Sequence, residues 1–273
     1  LDRSKPRVAI PMLGFLLVAA AAVTTVSISE NITLITGATG RTGSILYTAL
    51  KAADQPVRAF VLSEESARQT LNCTSCDESE GIYVGNVTDI DALRSAALGV
   101  TRVAICVGVK GDGSETADEI KAVEFEGVQN TIAALAQTAN LETTGLANLR
   151  VVLLSSMGTT QPDPNPSAGG SVLFYKLQAE AFLGASGLPF AIIKPCGLIN
   201  TAGGSEMLLT GHDDTLLATS PPLVSRADVA SVVAAALSYN APSLRLDLCS
   251  TRGPPPADIN SVLDQARYPW QQP

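Results

Sequence analysis

Leu34-Ile35-Thr36-Gly37-Ala38-Thr39-Gly40-Arg41-Thr42-Gly43 joins two segments of opposite periodicity. Before it, Asn31 to Ile35 is short, apolar and β-branched, which predicts a buried strand. After it, Ile45, Leu46, Ala49 and Leu50 recur at helical spacing. Gly37, Gly40 and Gly43 punctuate the turn between them. Glycine reaches backbone angles that a Cβ forbids and lets the main chain approach a ligand closely. The first N–H groups of a helix point outward and its dipole favours an anion there. A strand, a glycine-rich turn and a helix in this order form the physical layout of a dinucleotide pyrophosphate site.

The rest of the chain repeats the alternation. Val57 to Leu62, Ile82 to Gly85, Arg102 to Gly108, Arg150 to Leu154, Phe190 to Ile193 and Leu244 to Cys249 read as further strands. Helices are expected at 64–70, 89–97, 173–186 and 225–238, the last opened by a capping box at Ser225-Arg-Ala-Asp228. A long helix is expected from Ala117 to Ala139, with Ile120, Val123, Val128, Ile132 and Leu135 as its apolar stripe. Residues 161–170 are too rich in Pro and Gly to be regular, and 201–220 read as irregular, with a small hairpin as the alternative. Strands alternating with helices predict an α/β fold. Its doubly wound parallel sheet is Rossmann-like, in a single domain with a small C-terminal substrate-side region. In such sheets ligands bind at the carboxyl ends of the strands, where the glycine loop, Gly108, Ser155 and Pro195 all fall.

Composition bounds the function. With 273 residues, 46% hydrophobic and 16% charged, the chain can bury a sizeable core. A net charge of −8 excludes the basic stripe of a nucleic-acid surface, so no nucleic-acid partner is expected. Cys73, Cys76, Cys106, Cys196 and Cys249 are an odd, scattered set and not a disulfide scaffold. Cys73-x-x-Cys76 lacks the second pair of a zinc site, and an incidental disulfide is the better reading; no metal is expected. Cys196 reads as an inert small side chain, His212 as an exposed loop residue and Asp213-Asp214 as a solvated pair. The loop lacks the Gly-Lys-Ser/Thr ending that phosphoryl transfer needs.

At the N-terminus, Arg3, Lys5 and Arg7 precede an uncharged run from Val8 to Ser29. Two readings stay open for residues 1–29: a cleavable targeting sequence, or a membrane anchor through residues 8–29. Residues 30–252 are then the folded domain and 253–273, with Pro254 to Pro256, a Pro-rich tail. The expected location is organellar or cytoplasmic, with membrane association through 8–29 under the anchor reading.

Taken in order, several motifs resemble the extended and atypical short-chain dehydrogenases/reductases, especially the NmrA-like branch. They are Gly37-x-x-Gly40-x-x-Gly43, Gly85-Asn86-Val87-Thr88-Asp89, Glu126-Gly127-Val128-Gln129-Asn130, Ser155-Ser156-Met157-Gly158, Lys176-Leu-Gln-Ala-Glu180, Lys194-Pro195-Cys196-Gly197-Leu198 and Ser225-Arg-Ala-Asp-Val-Ala230. The resemblance implies a Rossmann-like domain binding NAD(P)(H), with NADP expected and NAD the alternative. It assigns the cofactor to Gly37, Thr39, Gly40, Arg41, Thr42, Gly43, Asn86, Val87, Gly108, Lys176 and Pro195. Lys176 would bond the nicotinamide ribose, and Ser155 would polarise a substrate carbonyl.

The departures are as informative. Active members of the family usually carry Tyr-x-x-x-Lys, which puts both side chains on one helix face. Here the position four before Lys176 is Val172, and the adjacent Tyr175 lies about 100° around the helix. The basic residue expected near the end of the second strand is replaced by Leu62 and Ser63, leaving Arg41 as the loop cation. The sequence therefore leaves two functions. One is a weak or specialised reductase of a small carbonyl or enone, with Lys176 and Ser155 as its catalytic pair. The other is a non-catalytic nucleotide-binding redox sensor or scaffold with a protein partner.

Overall fold

The computed structural model describes residues 31–139, 145–160, 170–219, 221–240 and 243–271. The segment expected to target or anchor the chain, and most of the Pro/Gly-rich 161–170 stretch, lie outside the described residues. The glycine loop separates β1 (Ile32–Thr36) from α1 (Gly43–Ala52). The alternation continues with β2 (Val57–Val61), α2 (Glu64–Leu71), β3 (Ile82–Val84), α3 (Ile90–Ala97) and β4 (Val100–Ile105). Then come α4 (Ala117–Lys121), a π-helical turn (Ala122–Glu126), α5 (Gly127–Thr138), β5 (Arg150–Leu154), α6 (Gly170–Ala185) and β6 (Phe190–Pro195). The chain closes with β7 (Gly197–Ile199), β8 (Met207–Gly211), β9 (Leu223–Ser225), α7 (Arg226–Ser238), β10 (Leu244–Thr251) and α8 (Asn260–Gln265).

The main sheet has the order β3-β2-β1-β4-β5-β6-β10-β8, and β7 pairs with β9 in a small second sheet. Strand order reverses between β1 and β4, which pair in parallel through Leu34↔Val103 and Ile35↔Ala104. A doubly wound sheet places its ligand crevice at that reversal. Seven strands run parallel. The eighth, β8, runs antiparallel against β10 through Leu248↔Thr210 and Cys249↔Leu209, within a segment that sequence alone reads as irregular.

Alternation along the strands sorts the core into two layers. Ile35, Ala104, Val152 and Ile193 face α1 and α7, where Leu46, Leu50, Val229 and Val233 meet them. Leu34, Val103, Val151 and Ile192 face the other way, toward Ile132 and Leu135 of α5 and Leu183 of α6. Each fully buried Leu or Ile contributes about 1.5–3 kcal/mol of burial free energy, so both layers are required. The segment read as a Pro-rich tail also enters the fold, because Val262 and Leu263 of α8 are buried in the α1/α7 layer.

The helix expected as one piece from 117 to 139 is interrupted. Thr116 opens α4 with a full capping box to Glu119, and the π turn then inserts one extra residue per turn before α5 resumes. Among the described residues no helix is long and apolar enough to cross a membrane.

Candidate functional site

The glycine loop is tight because neighbouring backbone crowds each of its glycines. Gly37 sits at φ +72°, and a Cβ there would lie 2.7 Å from the Cys106 carbonyl oxygen at the end of β4. A Cβ on Gly43 would come within 2.3 Å of the Gly37 carbonyl oxygen. Gly40 N–H donates to that same oxygen at 2.9 Å, closing the turn. Side chains cap the starts of α2, α3, α4 and α7 through Ser63, Asp89, Thr116 and Ser225, whereas the Thr42 hydroxyl makes no capping bond at α1. The first turn of α1 carries no acidic residue either. A cradle that Cβ atoms would fill, under an uncapped helix start, fits a dinucleotide diphosphate.

Thr39 is half-buried, Thr42 is buried, and Arg41 is exposed at the rim. Arg226, at the start of α7, is buried and donates to the Leu198 carbonyl at 3.1 Å and to Asn200 Oδ1 at 2.7 Å. Burial and then the charge of Arg41 hold its pKa below the usual guanidinium value, so the two cations share one field. Sequence reasoning noted position 226 in a helix cap and in a family motif, without a role at the cofactor. At the end of β2, Leu62 is exposed and Ser63 accepts from Ser66 N–H as the cap of α2, so no base stands there.

Asn86 is exposed with its Oδ1 accepting from Thr88 N–H at 3.0 Å. Val87 is buried, and its carbonyl accepts from Asn130 Nδ2 at 3.0 Å. A Cβ on Gly127 would lie 2.5 Å from Val87 Cγ2, which accounts for the glycine and asparagine of the α5 motif. Gly108 is exposed beyond β4, and a Cβ there would meet Glu124 Oε1 at 3.3 Å.

Glu124 is the residue that sequence reasoning missed. It lies in the π turn, 3% exposed, with Oε1 accepting from Val109 N–H at 2.9 Å and Oε2 2.7 Å from Lys176 Nζ. Lys176, Glu124, Ser155 and Val107 line one narrow cleft, so the two predicted catalytic residues do come together. Ser155 is buried and donates its hydroxyl proton to Glu180 Oε1 at 2.5 Å; Glu180 in turn pairs with Arg245 at 2.8 Å. Tyr175 packs edge-on to Phe174 and is not among the residues that line the cleft. Pro195 is buried at the end of β6, where its carbonyl accepts from Met157 N–H at 3.1 Å.

Two sequence readings, of Asp214 and of His212, are corrected. Asp214 is not part of a solvated pair: it meets the fully buried Lys194 at 2.6 Å and accepts from Thr160 N–H at 2.8 Å. Burial alone would raise the Asp214 carboxyl, but the bonds from Lys194 and Thr160 bring it to about 2. Asp247, 3.3 Å from the same ammonium, goes the other way, raised by burial more than Lys194 lowers it. His212 is half-buried, its ring stacked on Tyr268 at 3.9 Å and its Nδ1 3.0 Å from the Arg245 carbonyl oxygen. Among the cysteines, Cys73 and Cys76 are disulfide-bonded, and Cys196 and Cys249 abut in the core with Cα atoms 5.2 Å apart, within bridging range. Cys106 is free, and burial pushes its thiol up to about 12.

A family model described as NAD(P)H-binding matches residues 37–240. A chloroplastic protein of Arabidopsis thaliana, itself described as uncharacterised, is 31% identical over 255 residues, covering 85% of this chain and 74% of its own. Sanguinarine reductase of Eschscholzia californica is 31% identical over 232 residues, covering 75% of this chain and 83% of its own. The solved structure of a putative NAD-dependent epimerase/dehydratase from Bacillus halodurans superposes with a TM-score of 0.66 at 23% identity, over 86% of this chain and 99% of that one.

Proposed function

The chain belongs to the NAD(P)H-binding family of atypical short-chain dehydrogenases/reductases, and from that premise we propose that it is an NADPH-dependent reductase of acceptors that take hydride without simultaneous protonation. The observation that carries this reading is that, among the described residues, no hydroxyl acid stands beside Lys176. Val172 holds the tyrosine position, Tyr175 packs on Phe174 and is not among the cleft-lining residues, and the Ser155 proton is committed to Glu180. A simple carbonyl becomes an alkoxide as hydride arrives and needs a proton donor, a contribution typically worth ~10²–10⁴-fold. An iminium cation becomes a neutral amine and needs none; an enone, giving a delocalised enolate, stands between.

Held in the glycine cradle, a reduced nicotinamide dinucleotide supplies the hydride. The protein's own part is to bind and orient. The α1 N-terminus and Arg41 attract the phosphates, and Lys176, fixed by Glu124, presents donors to the ribose. The net charge of −8 draws a cationic acceptor toward the surface. NADP over NAD rests on Arg41 with Arg226 behind it. An organellar setting is supported by the chloroplastic relative. Residues 8–29 are proposed as the segment that targets the chain or ties it to a membrane.

The test is a binding titration with NADPH and NADH, followed by turnover of NADPH with matched iminium, enone and carbonyl acceptors. Iminium reduction well above carbonyl reduction supports the proposal. Cofactor binding with no turnover of any acceptor would instead favour the nucleotide-binding sensor or scaffold, for which the missing tyrosine is the supporting feature.

A further inference from the structure

The loop between α2 and β3 lies at the amino-terminal end of the strands, across the sheet from the glycine cradle. It holds Cys73-Thr74-Ser75-Cys76 with both sulfurs bonded and the Cα atoms 5.1 Å apart. Glu80 keeps the loop closed from inside, its carboxylate accepting from Thr74 N–H at 3.0 Å and Cys76 N–H at 2.8 Å. Among the described residues, Cys73, Cys76 and Glu80 form the one cluster whose ligand atoms lie close enough to share a metal, all within 4.8 Å; here the sulfurs are spent on each other.

The two sulfurs are not equivalent. Cys76 is fully buried, at φ +56°, in the layer that contains Tyr47, Leu50 and Val57. Cys73 is half-buried and opens onto a groove of about 430 Å³ that is also lined by Tyr47, Thr48, Lys51 and Asn72. An attacking thiol can therefore reach one sulfur of the pair and not the other. Cys196 is 5% exposed and Cys249 not at all, and Cys106, though half-buried, is a free thiol with no disulfide to exchange.

We propose that Cys73–Cys76 is a thiol–disulfide exchange site whose co-substrate is a dithiol arriving through this groove. One thiolate of the dithiol bonds to Cys73 Sγ, the Cys73–Cys76 bond breaks, and its electron pair leaves on Cys76 Sγ, which takes up a proton. The second thiol of the reagent then attacks its partner sulfur in the mixed disulfide and releases Cys73 as a thiol. Two electrons and two protons enter the pair, and the dithiol becomes a disulfide. Reclosure is favoured because C-x-x-C spacing and the Glu80 bonds keep the released thiols side by side.

The full chain is equilibrated in reduced and oxidised dithiothreitol at graded ratios, quenched by alkylation and mapped by peptide mass spectrometry. The expected result is that Cys73 and Cys76 become labelled together while Cys196 and Cys249 remain unlabelled and the circular dichroism spectrum stays native. Cys76→Ser exposed to oxidised glutathione should trap the adduct on Cys73, whereas Cys73→Ser should leave Cys76 at least ten-fold less modified. Labelling of the pair only under denaturing conditions overturns the proposal. Equal adduct formation in the two variants, both shown to be folded, overturns it as well.

Discussion

Lys176 and Glu124 close an ion pair of 2.7 Å across the cleft between α6 and the π turn, with side chains 16% and 3% exposed. The pair fixes the lysine proposed above to bond the nicotinamide ribose, and it does so from a helix of broken register. Removing one partner leaves a buried charge uncompensated, which costs roughly 3–5 kcal/mol when burial is complete. Lys176→Met should therefore destabilise the chain by about 3 kcal/mol. Glu124→Gln, which keeps the acceptor for Val109 N–H, should cost less. The double variant should recover part of the loss, and denaturant titrations of all four proteins measure the coupling. Strict additivity would show that the pair contributes nothing to the fold.

Acid stability should separate the two carboxylates around Lys194. Asp214 is depressed to about 2 in the folded chain, so its contribution is complete above the unfolded carboxylate value near 4 and is lost as pH falls toward about 2. Asp247 is raised, so its ionised form opposes folding at neutral pH and relief comes as pH falls through that raised value. Asp214→Asn should cost roughly 2 kcal/mol at about pH 7, with the deficit shrinking below about pH 4. Asp247→Asn should cost far less at neutral pH. Urea titrations at several pH values would contradict this if the Asp214 deficit were the same at every pH.

Much of this architecture is legible in the chain, and the failures have physical causes. Strand and helix periods supply the elements of the sheet, because Val151 to Leu154 of β5 and Phe190 to Ile193 of β6 are short continuous apolar runs. The glycine loop was readable because its constraints are local, between Gly37, Gly40 and Gly43. Glu124 was not recognised, yet a signal existed. The apolar stripe steps from Val123 to Val128, one residue longer than a helical turn allows, and the π turn absorbs that extra residue. Lys194, Asp214 and Asp247 come from β6, a loop and β10, and nothing local to any of them announces the others. His212 was similarly unreadable, because its stacking partner Tyr268 lies beyond Pro254 to Pro256, in a segment whose breakers mask its packed helix.

Cofactor choice should turn on Arg41. Leu62 and Ser63 offer no charge at the end of β2, and the Arg226 guanidinium is already committed to Leu198 and Asn200. A charge-assisted hydrogen bond to a 2′-phosphate contributes about 1.5–3 kcal/mol, equivalent to roughly 10- to 150-fold in affinity. Arg41→Ala should weaken NADPH by about that factor and NADH by less than about three-fold. Isothermal titration with both cofactors checks this, and an equal loss for both would remove Arg41 from phosphate recognition.

Proton supply gives the last prediction. In a reductase that relies on a tyrosine acid, the rate falls as that acid deprotonates and collapses when its hydroxyl is removed. Here Tyr175 packs on Phe174 and is not among the residues that line the cleft, so Tyr175→Phe should leave iminium reduction within about two-fold of the parent protein. Ser155→Ala removes the donor to Glu180, leaving that carboxylate with Arg245 alone. It should lower stability more than it alters the hydride step. Lys176→Met should raise KM for NADPH, because the lysine's part is to hold the ribose. Since no group must surrender a proton as hydride arrives, kcat with an iminium acceptor should be flat between about pH 6 and 8. Carbonyl reduction, where measurable, should rise toward acid, as solvent then supplies the proton. A bell-shaped profile with the iminium acceptor, abolished by Tyr175→Phe, would mean that a tyrosine acid operates in the cleft after all and would defeat the proton-free reading of this site.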